Sequence, residues 1–234
     1  MIEVWYLAAR SWDPAEFRDR VGPEEADRAR RFRSSEDAGR FLASRALLRA
    51  SVGRAVGRDP RAVRFDRRCP RCGHPHHGAP QLVTTDGGPA PVHASLCRAG
   101  GVVAVAIGPA PLALDAEQPG KGVLDVVEGG CFTAAERVWV GAAPDDARAG
   151  RALDLWVAKE AIGKLAGLGL MAAERIQVPN TAGVGGHSRA CLATDADGRA
   201  CRLWWIDIPG TGAAAVATYD QRAAAPVVRP FAFT

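Results

Sequence analysis

Residues 156–170 read WVAKEAIGKLAGLGL, and their periodicity predicts a helix with two different faces. At about 100° per residue, the apolar side chains form one broad stripe. The stripe consists of Leu155, Val157, Ala158, Ala161, Ile162 and Leu165. The opposite side carries Trp156, Glu160, Gly163, Lys164 and Gly167. The sequence therefore predicts a packed helix that presents a carboxylate, Glu160, and an ammonium, Lys164, one turn apart on its exposed edge.

Upstream, residues 111–117 read PLALDAE and predict a strand. Alternate side chains of a strand share a face, so the leucines and Ala116 should point into a core while Asp115 and Glu117 point out together. With Glu160, these carboxylates supply three hard oxygen donors. Three such donors and a lysine suit Mg²⁺ and a polyphosphate better than they suit a soft metal.

The two stretches together resemble the signature of the Sfp-type (surfactin-synthetase-activating) 4′-phosphopantetheinyl transferase family. That signature is a hydrophobic-Gly-hydrophobic-Asp-x-Glu strand followed by a Trp-x-x-Lys-Glu-x-x-x-Lys helix, and the chain length of 234 residues also agrees. The resemblance implies an α+β fold of two similar lobes, related by a pseudo-twofold axis, with the cofactor cleft between them. It also implies a Mg²⁺-dependent enzyme of the holo-carrier-protein synthase type. Such an enzyme moves 4′-phosphopantetheine from its substrate coenzyme A to a serine of an acyl or peptidyl carrier protein in polyketide or nonribosomal peptide biosynthesis.

The same resemblance assigns roles to the charged residues of both motifs. Asp115, Glu117 and Glu160 match the ligands that hold Mg²⁺ on the coenzyme A pyrophosphate. Lys164 matches the second lysine of the helix, which contacts the phosphates, and Lys159 matches the first; both are expected to bind the cofactor, and Glu160 and Lys164 to take part in catalysis. Either motif alone would equally fit a strand end or a helical ion pair worth about 0.2–0.5 kcal/mol. Their occurrence together favours the metal site.

A fourth acidic residue, Glu136, follows Thr133 at the spacing of a capping box, which predicts the start of a helix. It also matches the Phe-Ser/Thr-x-x-Glu segment of the resembled family, where the acid is a proposed base or a water-mediated metal ligand. The two roles are compatible, and both remain open for Glu136.

Basic residues are concentrated at the amino-terminal end, where residues 1–71 hold seventeen arginines and eleven acidic residues. This imbalance favours an anionic partner such as a phosphorylated ligand, an acidic protein or nucleic acid. In the resembled family, basic side chains of this region hold the 3′-phosphate of coenzyme A. That comparison selects Arg40 first and Arg28 second, and most other arginines are expected to be solvated.

The chain departs from the family at two places. Where the family has Ser-His-Ser-Gly, residues 97–100 read CRAG, so Cys97 and Arg98 stand at cofactor-binding positions and only the glycine is retained. Arg98 can reach a phosphate but cannot act as an acid or base. Residues 78–80 read GAP where the family often has Gly-Lys/Arg-Pro, which predicts one missing cofactor contact.

A pattern of helices followed by strands occurs twice along the chain. This pattern fits the two lobes that the resemblance implies: a basic amino-terminal lobe at 1–108 on the coenzyme A phosphate side, and a carboxy-terminal lobe at 109–220 with the metal-binding motifs. An extended tail is predicted at 221–234. One predicted helix begins at Pro14. The other predicted helices span 23–31, 34–56, 123–129, 133–140 and 145–165. The predicted strands lie near 3–9, 62–65, 81–84, 91–96, 102–107, 111–117, 174–178, 190–194, 200–208 and 213–219.

The loop at 67–80 contains Cys69 and Cys72 close to three histidines, which are suitable ligand types for zinc. The histidines crowd the second cysteine and the long spacer of a zinc finger is missing, so a turn-rich loop beside the cleft is favoured. The six cysteines of the chain are scattered and do not predict a disulfide framework. With no secretion signal and no bilayer-length apolar run, the sequence predicts a cytoplasmic monomer without a membrane partner.

Two other functions compete with transfer. A degenerate relative that binds coenzyme A or a carrier protein without efficient transfer would account for the replacement at Cys97 and Arg98. A nucleic-acid-binding module would account for the arginine content and the isoelectric point near 8.9. The second is disfavoured, because acidic residues interrupt the arginines and no nucleic-acid-binding motif occurs.

Overall fold

The computed structural model describes residues 1–66, 73, 81–83, 91–120, 130–179 and 189–233. Its helices are α1 (Pro14–Phe17), α2 (Pro23–Ala29), α3 (Ser35–Val56), α4 (Ala134–Gly141) and α5 (Asp145–Leu165). Its strands are β1 (Glu3–Ala8), β2 (Arg64–Asp66), β3 (Gln81–Val83), β4 (His93–Ala99), β5 (Val102–Gly108), β6 (Leu112–Glu117), β7 (Arg189–Thr194), β8 (Ala200–Trp205), β9 (Ala213–Thr218) and β10 (Val227–Pro230). Short 3₁₀ segments occupy Arg18–Arg20, Pro60–Ala62 and Gly169–Arg175.

The long helix α3 packs on the first sheet, whose strand order is β10-β1-β5-β4. Local signals define its ends. The Ser34 hydroxyl accepts a hydrogen bond from the Asp37 N–H at 3.3 Å, and Gly57 ends the helix with a positive φ of 67°. The buried face of α3 contributes Leu47 and Leu48 to a core that also contains β5.

The second sheet has the order β6-β9-β8-β7, and α5 covers one face of it. The apolar stripe predicted for α5 is confirmed, because Leu155, Ala158 and Ile162 are buried in the core beneath this sheet. The Trp205 indole N–H donates to the Asp154 carbonyl at 2.8 Å, which fastens β8 to the helix.

The two sheets meet at their edge strands β4 and β6. Between them lies a core cluster that includes Val4, Leu114 and Val216. The Leu114 N–H donates across this junction to the Ser95 hydroxyl at 3.0 Å. The α+β class is thus confirmed, with a long helix on a four-stranded sheet in each half of the chain.

The structure differs from the sequence prediction at the carboxy-terminal side. The strand predicted at 174–178 is wrong, because a 3₁₀ segment runs to Arg175 and only Gln177 forms a bridge, with Thr194. The tail predicted to be extended at 221–234 does contain extended chain, since it contributes β10, which pairs in parallel with β1.

Some predictions concern parts of the chain that are not described. The helix predicted at 123–129 and the Gly-Ala-Pro segment at 78–80 lie outside the described residues, as does all of the cysteine- and histidine-containing loop at 67–80 except Gly73. Among the helices that are described, none is long and apolar enough to cross a membrane.

Candidate active site

Strand β6 brings Asp115 into the interior, with only 3% of the residue exposed. The expectation that Asp115 points out into solvent is wrong for a physical reason: β6 is covered by α5 and also packs against β4, so neither face of the strand is open at this position. Glu117, at the end of the strand, is half-buried. A buried carboxylate must be compensated, and the compensation comes from α5.

The Lys164 ammonium provides it by donating a hydrogen bond to Asp115 Oδ1. Burial raises the pKa of Asp115, and the lysine opposes this rise. For Lys164, burial works against the charged form, but the Asp115 carboxylate outweighs it and the pKa of Lys164 is raised. The second oxygen, Asp115 Oδ2, is buried and has no hydrogen-bond donor among the described residues. It is therefore a buried acceptor that a ligand could satisfy.

Glu117 and Glu160 lie near Asp115, and we call these three carboxylates the acidic cluster. Burial raises the pKa of Glu160 to about 6, and the negative charge of Asp115 adds to the effect. Burial followed by the charge of Asp115 also raises the pKa of Glu117. The three carboxylates that the sequence predicted as metal ligands thus interact electrostatically with one another and with the Lys164 ammonium, and their repulsion favours a further cation.

The donor set fits Mg²⁺, since it consists of hard carboxylate oxygens and includes the unsatisfied Asp115 Oδ2. In the part of the chain that the structure describes, no three acidic, histidine or cysteine side chains already stand close enough to hold one ion. Lys164 occupies the other oxygen of Asp115. A metal that joined the carboxylates would therefore compete with the Lys164 ammonium, and side chains of the cluster would have to rotate inward.

Cys97, on β4, lies beside this acidic cluster and is 5% exposed. Burial and then the charge of Asp115 raise the pKa of its thiol to about 12. The thiol is therefore neutral at physiological pH and is not an activated nucleophile.

Ser95, two residues earlier on the same strand, was not predicted as a site residue. A single hydroxyl in a strand of alternating side chains gives no signal that its partner, the Leu114 N–H, lies on another sheet.

Arg98, which follows Cys97 on β4, belongs to a second cluster with Arg28 and Arg40, which we call the arginine cluster. The pKa of the Arg98 guanidinium is lowered, first by its partial removal from water and then by the positive charges of Arg40 and Arg28. Arg40 also pairs with Asp37 at 2.7 Å. Arg28 lies over the Phe41 ring, 5.5 Å from its centroid. Three arginines from α2, α3 and β4 thus form a site of net positive charge suited to an anion.

Lys159 and Glu136 are placed differently from the other predicted site residues. Lys159 is completely buried, and its ammonium donates to the Ala173 and Ile176 carbonyls at 2.7 Å each while pairing with Glu136 at 2.8 Å. These three contacts use all of its hydrogens. On a helix, Lys159 stands about 140° away from Lys164. The burial signal was present in the sequence, since Lys159 is flanked by Ala158 and the rest of the apolar stripe.

The capping box predicted for Glu136 is confirmed. Its carboxylate accepts the Thr133 N–H at 2.7 Å, while its own N–H donates to the Thr133 hydroxyl at 3.2 Å. The carboxylate also accepts the Val178 N–H at 3.3 Å. Glu136 lines an open pocket of about 440 Å³ together with Gln177 and Leu192. This buried network joins α4, α5 and the segment after α5, on a different side of α5 from the acidic cluster.

The comparisons with known proteins point to the class predicted from the motifs. Residues 111–218 match the model of the 4′-phosphopantetheinyl transferase superfamily, and this range contains all of Asp115, Glu117, Glu160 and Lys164. The chain is also similar to a 4′-phosphopantetheinyl transferase of Bacillus subtilis, with 27% identity over 150 residues. That alignment covers 64% of this chain and 62% of the Bacillus subtilis protein, so the chain spans less than two thirds of this curated relative. Both findings support the superfamily.

Proposed function

We propose that this protein is an Sfp-type 4′-phosphopantetheinyl transferase, which moves phosphopantetheine from coenzyme A to a serine of an acyl or peptidyl carrier protein. The observation that carries the proposal is the acidic cluster of Asp115, Glu117 and Glu160 around Lys164. The arginine cluster, formed by residues of α2, α3 and β4, supplies a separate site for an anion. A substrate whose pyrophosphate is held by a metal and Lys164 at the acidic cluster and whose separate phosphate is held by arginines would fit this pair of sites, and coenzyme A is a substrate of this kind.

The acidic residues Asp115, Glu117 and Glu160 would hold Mg²⁺, which when bound neutralises charge on the pyrophosphate. Lys164 would leave Asp115 and place its ammonium against the phosphates, where it stabilises the negative charge of the leaving group. The hydroxyl oxygen of the carrier's serine would attack the β-phosphorus of coenzyme A, the pyrophosphate P–O bond would break, and adenosine 3′,5′-bisphosphate would be the leaving group. Glu160 would accept the proton of the serine hydroxyl through its carboxylate.

The arginines would anchor the opposite end of the cofactor. Arg28, Arg40 and Arg98 would hold its 3′-phosphate through charge-assisted hydrogen bonds. We do not expect Cys97 to touch the cofactor, because its thiol is buried beside Asp115. We assign Lys159 and Glu136 to holding α5 in place rather than to touching the cofactor, because the Lys159 ammonium is enclosed and all its hydrogens are used.

A binding protein without efficient transfer is the second candidate, and the replacement of the family's Ser-His by Cys97 and Arg98 favours it. Intact-mass measurement of an apo carrier protein, incubated with coenzyme A, Mg²⁺ and this protein, separates the two. A gain of one phosphopantetheine, absent with EDTA or with a carrier whose acceptor serine is alanine, supports the transferase. Coenzyme A binding measured by calorimetry, without a mass gain on any carrier tested, supports the binding protein. The same assay with acetyl-coenzyme A tests whether acylated cofactor is accepted.

The proposal includes the cellular setting predicted from the sequence, a cytoplasmic monomer that acts on carrier proteins and not on nucleic acid or membranes. Carrier proteins are typically acidic, and the net charge of +4 would steer such partners toward the protein. Size-exclusion chromatography with light scattering tests the monomer.

A further inference from the structure

The turn between β4 and β5 lies between the arginine cluster and the acidic cluster. On one side, Arg40 Nη1 donates a hydrogen bond to the Gly100 carbonyl at 3.3 Å. On the other side, a Cβ added to Gly100 would lie 2.8 Å from Gln118 Nε2 and 2.9 Å from Gln118 Cγ. Gly100 also has a positive φ of 53°, which L side chains rarely adopt. The turn therefore contacts the arginine cluster and Gln118 at the same time, and a side chain at position 100 would be strained and would push against Gln118.

Gln118 in turn fastens the end of β6, where Glu117 stands. Its side-chain amide donates to the Gly210 carbonyl in the loop between β8 and β9. The same loop holds the strand end a second time, because the Gly212 N–H donates to the Glu117 carbonyl at 2.9 Å. A continuous line of contacts thus runs from Arg40 through Gly100 and Gln118 to Glu117.

We propose that Gln118 is a positioning residue that, through Gly100, sets the spacing between the arginine cluster and the acidic cluster. The inference rests on the proposed function. A substrate bound at both sites can use the binding energy of its remote phosphate at the reacting phosphorus only if the spacing of the sites is fixed. A displacement of about 1 Å in the position of a bound substrate can cost a factor of about 100 in rate. A single side chain that fixes the spacing of the two sites, such as Gln118, can therefore have a large effect on the rate of transfer.

The test compares Gln118→Ala with wild type on coenzyme A and on 3′-dephospho-coenzyme A, which lacks the group that the arginines would hold. In wild type, the 3′-phosphate should raise kcat. In Gln118→Ala, the ratio of the two kcat values should fall about tenfold, because kcat falls with coenzyme A and stays nearly unchanged with the dephospho compound. Gln118 is only half-buried, so we expect the variant to fold, and circular dichroism checks this.

Two further variants make the result specific. Thr211→Ala removes a hydrogen bond from the Thr211 hydroxyl to the Ile208 carbonyl in the same loop, and should leave the ratio unchanged. Gly100→Ala disturbs the line of contacts from its other end and should lower the ratio as Gln118→Ala does, with the double variant no worse than either single one.

An equal loss of kcat with both cofactors would overturn the inference, because it would show general damage and not a lost link between the sites. An unchanged ratio in Gln118→Ala would overturn it as well. These outcomes differ from a failure of the proposed function, in which the wild-type protein transfers phosphopantetheine from neither cofactor and both proposals fall together.

Discussion

The Lys164 ammonium forms an ion pair with the Asp115 carboxylate and thereby joins α5 to β6 in the middle of the acidic cluster. In the absence of ligands the protein neutralises one of its three clustered carboxylates with its own lysine. A divalent cation and Lys164 consequently compete for Asp115, whereas coenzyme A would attract Lys164 away from it.

Lys164→Met should therefore change the affinity for metal and for cofactor in opposite directions. Binding of Mn²⁺ alone should tighten about tenfold, because the positive charge that competes with the metal for Asp115 is gone. A factor of ten in affinity corresponds to about 1.4 kcal/mol. Binding of coenzyme A should weaken about tenfold, and transfer should slow. Lys164→Arg should restore only part of both, because a guanidinium has a different shape. Calorimetric titrations measure both affinities; unchanged coenzyme A affinity in Lys164→Met would remove the lysine from the phosphate site.

Glu160→Gln should make the metal-free protein more stable at pH 8. The pKa of Glu160 is raised from 4.5 to about 6, so the folded state disfavours its charged form. The resulting destabilisation develops as the pH rises from about 4.5 to 6 and persists above that range. The gain from Glu160→Gln should accordingly disappear as the pH is lowered below 4.5.

Urea unfolding in EDTA across this pH range measures the effect. Added Mg²⁺ should raise the unfolding midpoint of wild type at pH 8 and leave that of Glu160→Gln nearly unchanged. Equal stability of the two metal-free proteins at pH 8 would show that neither burial nor the charge of Asp115 disfavours the ionised Glu160 carboxylate in the folded state.

Arg98→Ala should raise the dissociation constant for coenzyme A about ten- to a hundredfold, in line with about 1.5–3 kcal/mol for a hydrogen bond to a charged group. The affinity for 3′-dephospho-coenzyme A should change little. Arg30→Ala is a matched control, because Arg30 is exposed and pairs with Asp27 at 2.6 Å. An unchanged dissociation constant for coenzyme A in Arg98→Ala would show that Arg98 does not contact the phosphate.

The reverted pair Cys97→Ser with Arg98→His distinguishes an active enzyme from a binding relative. If Arg98 has taken over a phosphate contact, the reverted protein should keep or improve its transfer rate. If the replacement abolished the activity, the reversion should create transfer where wild type shows little.

Lys159→Met should destabilise the protein by about 3–5 kcal/mol, because it leaves the buried Glu136 carboxylate without its counter-ion. Replacing both residues, in Lys159→Met with Glu136→Met, should cost less than the two single changes together. Denaturant unfolding gives these values. A stable Lys159→Met protein with a large loss of coenzyme A affinity would instead restore the direct phosphate contact that the family resemblance implies.

Local signals predicted most of the fold. The caps at Ser34 and Gly57 define α3 within one residue, and the apolar period of α5 gives its bounds at Asp145 and Leu165. The carboxylates of the acidic cluster were also predictable, because Asp115 and Glu117 share a strand face and Glu160 has a fixed place on a helix.

Tertiary contacts decided what the sequence could not predict. Asp115 is buried because α5 and β4 both cover β6, and neither partner is visible from the alternation of a single strand. The strand expected after residue 173 does not form as predicted, and Lys159 takes up the Ala173 and Ile176 carbonyls instead. The parallel pairing of β10 with β1 joins residues from opposite ends of the chain.

The most direct test of the central claim is the intact mass of an apo carrier protein after incubation with coenzyme A, Mg²⁺ and either wild type or Asp115→Asn. Asparagine keeps the shape of Asp115 but lacks the charge that would hold Mg²⁺. The account predicts one added phosphopantetheine with wild type and none over the same period with the folded variant. Transfer by Asp115→Asn at the wild-type rate, or no transfer by wild type to any acyl or peptidyl carrier protein, would contradict it.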